Sequence, residues 1–362
     1  MENEVDSHVR EYFSAGFSLT ETLTLLEIKQ NVILSYRQLK RHCKRLGLKR
    51  RPNWNRAVVR AATLAEVQGT GGNLGCRAMA SRLRTKYGIM LRRHKVLQYQ
   101  NIIDPEGVQA RLSNRLSRRE YFNRGPNFLI HIDGYDKIKK YGFGIHGAIC
   151  GFSRRILWLK VAHSNNNPNI IAAYFLEFVK EIGGVPRCIR MDVGTENVVV
   201  EDMQKAFRWY HGDDMAGERS VIVGSSHTNQ RIECWWRQLH QRCIAAWKDR
   251  FCQMEEQGIF STADGIHVSC VRFCFMQLIQ HKLELIRAEW NTHYIRRQTR
   301  EGTPCGKPDI LYLCPELYGT YDYKFPVDEA DCECLGDNCD VPSSTGIDEE
   351  LEGRFLRMME LD

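Results

Sequence analysis

The sequence predicts an α/β protein: a mixed sheet flanked by helices, preceded by all-α, helix-turn-helix-like units. Three observations carry that expectation. Up to Gln100 the apolar residues recur at helical spacing between capping signals. From Asn127 the period shortens to that of strands. Three carboxylates, Asp133, Asp192 and Glu233, then close short apolar runs or lie early in a helical one.

The 362 residues exceed one average domain and suffice for two or three. No apolar run is long enough to span a bilayer, and the first residues lack the basic and apolar regions of a signal peptide. An intracellular protein with no membrane partner is therefore expected. The 14 cysteines stand scattered in apolar stretches, which reads as reduced, mostly buried thiols. The net charge of +7 is uneven: residues 327–362 hold twelve acidic residues against Arg354 and Arg357, leaving the rest at +17. Residues 28–65 hold eleven Lys or Arg and no acid. That is the footprint of a phosphate-binding surface, since a merely solubilising face mixes both signs.

Residues 5–50 read as three short helices. Ser18-Leu19-Thr20-Glu21 and Ser35-Tyr36-Arg37-Gln38 both fit the capping box. After the second box, Tyr36, Leu39, Cys43 and Leu46 would pack inward. Arg37, Lys40, Arg41, Lys44 and Arg45 would then face outward, as on a recognition helix that meets DNA; a small bundle with a basic face fits the same spacing. This first unit spans residues 1–52. A break at Arg50-Arg51-Pro52-Asn53 opens a second helical DNA-binding unit, 53–122, with helices at 57–68, 77–87 and 93–100 and a Gly-rich turn at 69–75. Arg82, Arg84, Lys86, Arg92, Arg93 and Lys95 would keep it basic.

Runs at 129–133, 142–150 and 155–161 predict a β-meander, 169–182 a helix, and 183–186 a turn into the strand that ends at Asp192. Residues 228–243, following the turn at 224–227, have helical periodicity and carry Glu233. A longer helical tract, 270–294, and a Pro/Gly-rich stretch, 302–308, complete a core with its extension at 123–312. Residues 313–362 read as an acidic, disordered tail.

Two strand-end aspartates and a helical glutamate at one sheet edge would form a hard-oxygen site suited to Mg²⁺ or Mn²⁺. Two such ions about 4 Å apart activate an attacking hydroxyl and stabilise the leaving oxygen of an in-line phosphoryl displacement. Without a cation the three carboxylates repel one another. Asp136 and Glu196 read as surface or supporting groups. His131, on either the same strand face as Asp133 or the opposite one, reads as packing. Cys332, Cys334 and Cys339 lack a fourth ligand at good spacing for a soft metal.

In the motifs at 130–136 (IHIDGYD), 190–197 (RMDVGTEN) and 227–236 (HTNQRIECWW), the chain resembles the integrase catalytic core family: retroviral-type integrases and related transposases with an Asp-Asp-Glu triad. The resemblance covers roughly residues 57–312. It implies an RNase H-like core with a five-stranded mixed sheet, and Asp133, Asp192 and Glu233 as catalytic carboxylates holding two Mg²⁺ or Mn²⁺ ions. Asn229 matches the family's usual Asn, and with Arg237 and His240 it is expected to meet DNA. Gly194 matches the Gly after the second Asp, while Trp235 and Trp236 are expected to pack the core and fix Glu233. Two departures stand out: Cys150 precedes Gly-Phe-Ser-Arg where an Asp is common, and His240 stands where a Lys commonly meets DNA. His8, His42, Cys43 and Cys76 lack the spacing of the zinc module that opens retroviral integrases, so no zinc is expected.

The function this implies is strand cleavage and strand transfer during DNA integration. The enzyme would come from a eukaryotic mobile element and act in the nucleus as a homo-oligomer on element ends and target DNA. One alternative is a host-adopted, catalytically silent nucleic-acid-binding protein that keeps the core as a scaffold. Another is an RNase H-type nuclease, which leaves the helical units unexplained. The acidic tail could mimic DNA for the basic N-terminus.

Overall fold

Capping chemistry sets the N-terminal helices. Ser18 Oγ accepts from the Glu21 N–H (3.2 Å) while the Glu21 carboxylate accepts from the Ser18 N–H (2.6 Å), opening α2 (Leu19–Gln30). Ser35 and Gln38 repeat the exchange at α3 (Tyr36–Arg45). With α1 (Glu4–Ala15), these helices close on Val9, Phe13, Leu25, Leu26, Leu39 and Cys43, joined by Ile310 and Cys314 from beyond the core. Tyr36 does not pack inward as expected. It is 47% exposed, with the Lys40 ammonium 4.9 Å from its ring centre. As the first helical residue, its side chain leans back past the packed face.

This computed structural model describes residues 4–50, 53–112, 123–224, 229–297, 304–337 and 339–359. Arg51-Pro52, the turn residues 225–228 and residues 302–303 of the Pro/Gly-rich stretch lie outside the described residues.

Helices α4 (Arg56–Gln68), α5 (Cys76–Tyr87) and α6 (Arg93–Ile103), followed by α7 (Pro105–Leu112), enclose a cluster of Val59, Leu74, Met79, Leu83, Ile89 and Val96. Lys86, Arg92, Arg93 and Lys95 are exposed, but Arg82 and Arg84 are not. Arg82 shares the packed face with Met79 and Leu83 and is 1% exposed. Lys86 is bound to Glu66 at 2.6 Å, and Arg84 is partly buried with its guanidinium against Gly16.

The sheet runs β3-β2-β1-β4-β5. Its meander is β1 (Leu129–Tyr135), β2 (Gly144–Cys150) and β3 (Ile156–Ala162), all antiparallel neighbours. Helix α8 (Pro168–Ile182), capped by Asn167 and started by Pro168, crosses over to β4 (Cys188–Asp192), parallel to β1. Helix α9 (Val198–Arg208) then leads to the four-residue β5 (Val221–Gly224), parallel to β4. The pleat sends Ile130 and Ile132 into the core beneath α8 and α9. His131, Asp133 and Tyr135 therefore share the opposite face, which settles the placement of His131. That face is covered by α10 (Gln230–Leu239), a π-helical turn at His240–Ile244, α11 (Ala245–Glu256) and the long α12 (Gly265–Thr292).

The tail departs from the expectation of disorder. After α13 (Pro308–Leu313), it forms α14 (Glu329–Gly336) and α15 (Glu349–Met359). Phe325 exchanges backbone hydrogen bonds with Val185, and Cys332 is buried with Leu335 against the α8 side of the core. Phe355 meets Phe273 of α12 with ring centres 5.4 Å apart. A few apolar residues at helical spacing suffice because the core already supplies the surface they cover, and the acids stay outside. The tail's packing partners lie on α8 and α12, which gives mimicry of DNA on α3 no support. Six of the 14 cysteines are buried and two are exposed, all as free thiols. Among the described residues, no helix is long and apolar enough to cross a membrane.

Candidate active site

Parallel pairing of β1 with β4 brings Asp192, the last residue of β4, beside Asp133, which lies inside β1 and does not end it as expected. Asp133 and Asp192 each lie two residues beyond the registered pair His131↔Arg190. Helix α10 packs on β1 with Glu233 in its first turn. One carboxylate oxygen from each of Asp133, Asp192 and Glu233 lies within 4.8 Å of the others.

Asp133 is 9% exposed. Burial pushes its carboxyl up to about 7. A hydrogen bond from Trp236 opposes the rise, and the charges of Asp192 and Glu233 add to it. Asp192 is also raised, by burial first and by Glu196 as well, against a hydrogen bond from Asn229. Its Oδ1 is buried without a hydrogen-bond partner. Three clustered carboxylates, one of them with an orphaned oxygen, and no cation among the strongest influences on the two aspartates fit a divalent metal ion.

The bond that opposes the shift at Asp133 comes from the Trp236 indole, whose Nε1–H donates to Oδ2 at 2.7 Å. Trp236 thus does more than pack, a role its place in a Trp-Trp pair did not signal. Trp235 only packs the core, buried against Trp290 with ring centres 4.6 Å apart.

Asn229, expected to meet DNA, is fully buried: its Nδ2 donates to the Ile132 carbonyl at 3.0 Å, and its Oδ1 lies 2.7 Å from His131 Nδ1. Because that oxygen can only accept, the His131 Nδ1–H donates. The ring is neutral, pushed down to about 3 by burial, which outweighs the hydrogen bond to Asn229. Together these bonds pin the start of α10 to β1 and fix the approach of Glu233.

Arg237 is exposed on α10. His240 opens the π-helical turn half-buried, with Nδ1 3.1 Å from the Tyr135 hydroxyl. It is pushed down by burial, then by Lys248 and Lys137. Those two exposed lysines were not singled out in the sequence, and their separation, 111 positions along the chain, hid them. The α3 cations Arg37, Lys40, Arg41, Lys44 and Arg45 are all exposed, and Arg45 is also paired with Asp6 at 2.5 Å. Asp136 accepts from Asn165 at 2.7 Å and pairs with Lys139; Glu196 accepts from Asn197 at 3.3 Å. Cys150 Sγ accepts from the Ser153 N–H at 3.4 Å, so the thiol holds the turn where an Asp is common. At Gly194 a Cβ would stand 2.3 Å from the Glu196 carboxylate, so the Gly leaves room for that side chain.

A family model described as Integrase core domain matches residues 121–307. No curated protein matches the chain.

Proposed function

Because the chain belongs to the integrase core domain family, we propose that it is a polynucleotidyl transferase that cleaves DNA and joins the 3′ ends to target DNA. The observation that carries this reading is the convergence of Asp133, Asp192 and Glu233 within 4.8 Å at one sheet edge. These three residues would hold Mg²⁺ or Mn²⁺, as two ions. When bound, such ions supply Lewis-acid polarisation of a phosphodiester and charge neutralisation at its attacking and leaving oxygens.

The chain's own residues supply position and field. His131 and Asn229 hold α10 on β1, so Glu233 meets the two aspartates without rearrangement. Arg237 and His240 lie farther along the same helical segment, where they would draw in a phosphate backbone, with Lys137 and Lys248 as neighbouring cations. Arg37, Lys40, Arg41 and Lys44 on α3 would hold element-end DNA, and binding would weaken steeply with salt through counterion release. Joining two ends calls for a homo-oligomer. With chromosomal DNA of a eukaryotic host as its target, it would act in the nucleus.

The test is Mn²⁺-dependent cleavage and strand transfer on labelled duplex carrying the gene's flanking sequences. Activity lost in Asp192→Asn and Glu233→Gln is the expected result. DNA binding with no activity in the wild type would overturn the enzymatic reading in favour of a DNA-binding scaffold.

A further inference from the structure

Glu233 and Trp236 stand three residues apart on α10 and share one face of the helix. Glu233 is one clustered carboxylate, and Trp236 reaches across to another through its bond to Asp133 Oδ2. The indole is 4% exposed and lies against Tyr135, with ring centres 5.0 Å apart. The sheet makes room for it on the other side. Gly147 is the cross-strand partner of Asp133, and a Cβ there would stand 2.9 Å from the Trp236 Cη2.

A carboxylate turns broadly about its last torsion, so its oxygens need a partner to fix their direction. A buried N–H to a charged acceptor is a strong partner of this kind.

We propose that Trp236 is a positioning residue for Asp133: its indole N–H, seated by Tyr135 and by the missing side chain of Gly147, aims the carboxylate at the cation site. Helix α10 then delivers one ligand, Glu233, and the orienting donor of a second from the same face. A shift of the helix would disturb both together. The inference rests on the reading of the triad as a cation site.

Trp235 provides an internal control. It is equally buried on the same helix, but its Nε1 has no hydrogen-bond partner, so Trp235→Phe removes packing without removing a bond. The experiment is calorimetric Mn²⁺ titration of the full chain as wild type, Trp236→Phe, Trp235→Phe and Gly147→Ala, with folding checked by circular dichroism. Trp236→Phe weakens Mn²⁺ binding by about 10- to 100-fold. Trp235→Phe leaves it unchanged. Gly147→Ala, which keeps the N–H but displaces the ring, weakens it as well. Wild-type affinity in Trp236→Phe, or an equal loss in Trp235→Phe, overturns the proposal while leaving the metal site standing. If Trp236→Phe fails to fold, unchanged affinity in Gly147→Ala overturns it. A wild type that binds no Mn²⁺ defeats the metal-site reading and this inference with it.

Discussion

Two of the charged clusters inside this molecule are built on opposite plans. Around Arg82 the charges cancel: its guanidinium lies 3.2 Å from Glu289 and 3.4 Å from Glu66, and it donates to the Arg242 carbonyl at 3.1 Å. Burial raises the Glu66 carboxyl, but Lys86, Tyr87 and Arg82 outweigh it and hold the group below its ordinary value. At the sheet edge Asp133, Asp192 and Glu233 are all acids, and Asp133 is driven up to about 7. A cluster that contains its own counter-charge joins elements; this one ties α4 and α5 to α12 and the π-helical turn. A cluster whose like charges raise one another, with no cation among the strongest influences on Asp133 and Asp192, suits a cation from outside.

The largest expected contrast is in activity. Glu233→Gln abolishes strand transfer, a loss of at least about a hundredfold, with thermal stability equal to or above wild type, because a like-charge contact is relieved. A matching fall in melting temperature would make the triad a structural cluster like the other. Arg82→Ala should do the reverse. Leaving Glu66 and Glu289 buried without their partner costs about 3–5 kcal/mol in chemical denaturation, and a loss below 1 kcal/mol would show that the cluster joins nothing.

Stability against pH separates the two by sign. Asp133 holds its proton to about 7 when folded but releases it near 3.8 when unfolded, so metal-free protein loses stability as pH rises through that window. The effect is on the order of a few kcal/mol; Asp133→Asn flattens it, and a divalent cation restores the lost stability. Glu66, held below its ordinary 4.5, contributes stability above that pH that is lost as pH falls through its folded value. Melting curves of Asp133→Asn and Glu66→Gln read the two slopes separately, and slopes of one sign would dissolve the contrast.

The smallest effect belongs to charges that face outward. Lys40→Ala and Arg41→Ala on α3 should leave stability unchanged, while each lowers the salt dependence of DNA binding by about one unit of slope. An unchanged slope would remove α3 from the interface.

The triad was legible because each carboxylate stands at a change of period, where an apolar run ends or a helical run begins. The Arg82 cluster was not. In sequence, Arg82 sits among other cations and reads as surface, and its partner Glu289 lies 207 residues away. Asn229 was found by its motif but assigned outward, since sequence cannot show that His131 and the Ile132 carbonyl occupy its amide. The same limit hid the Trp236 bond, which depends on a gap opposite Asp133 that only the β1–β2 register reveals. Composition misjudged the tail because the surface that orders α14 is supplied by α8, more than a hundred residues earlier.

The most direct test of the account is anomalous diffraction from crystals soaked in Mn²⁺. The account predicts strong peaks bounded by Asp133, Asp192 and Glu233, absent in Asp192→Asn. A site left empty at saturating Mn²⁺, with the peaks elsewhere on the molecule, would contradict it.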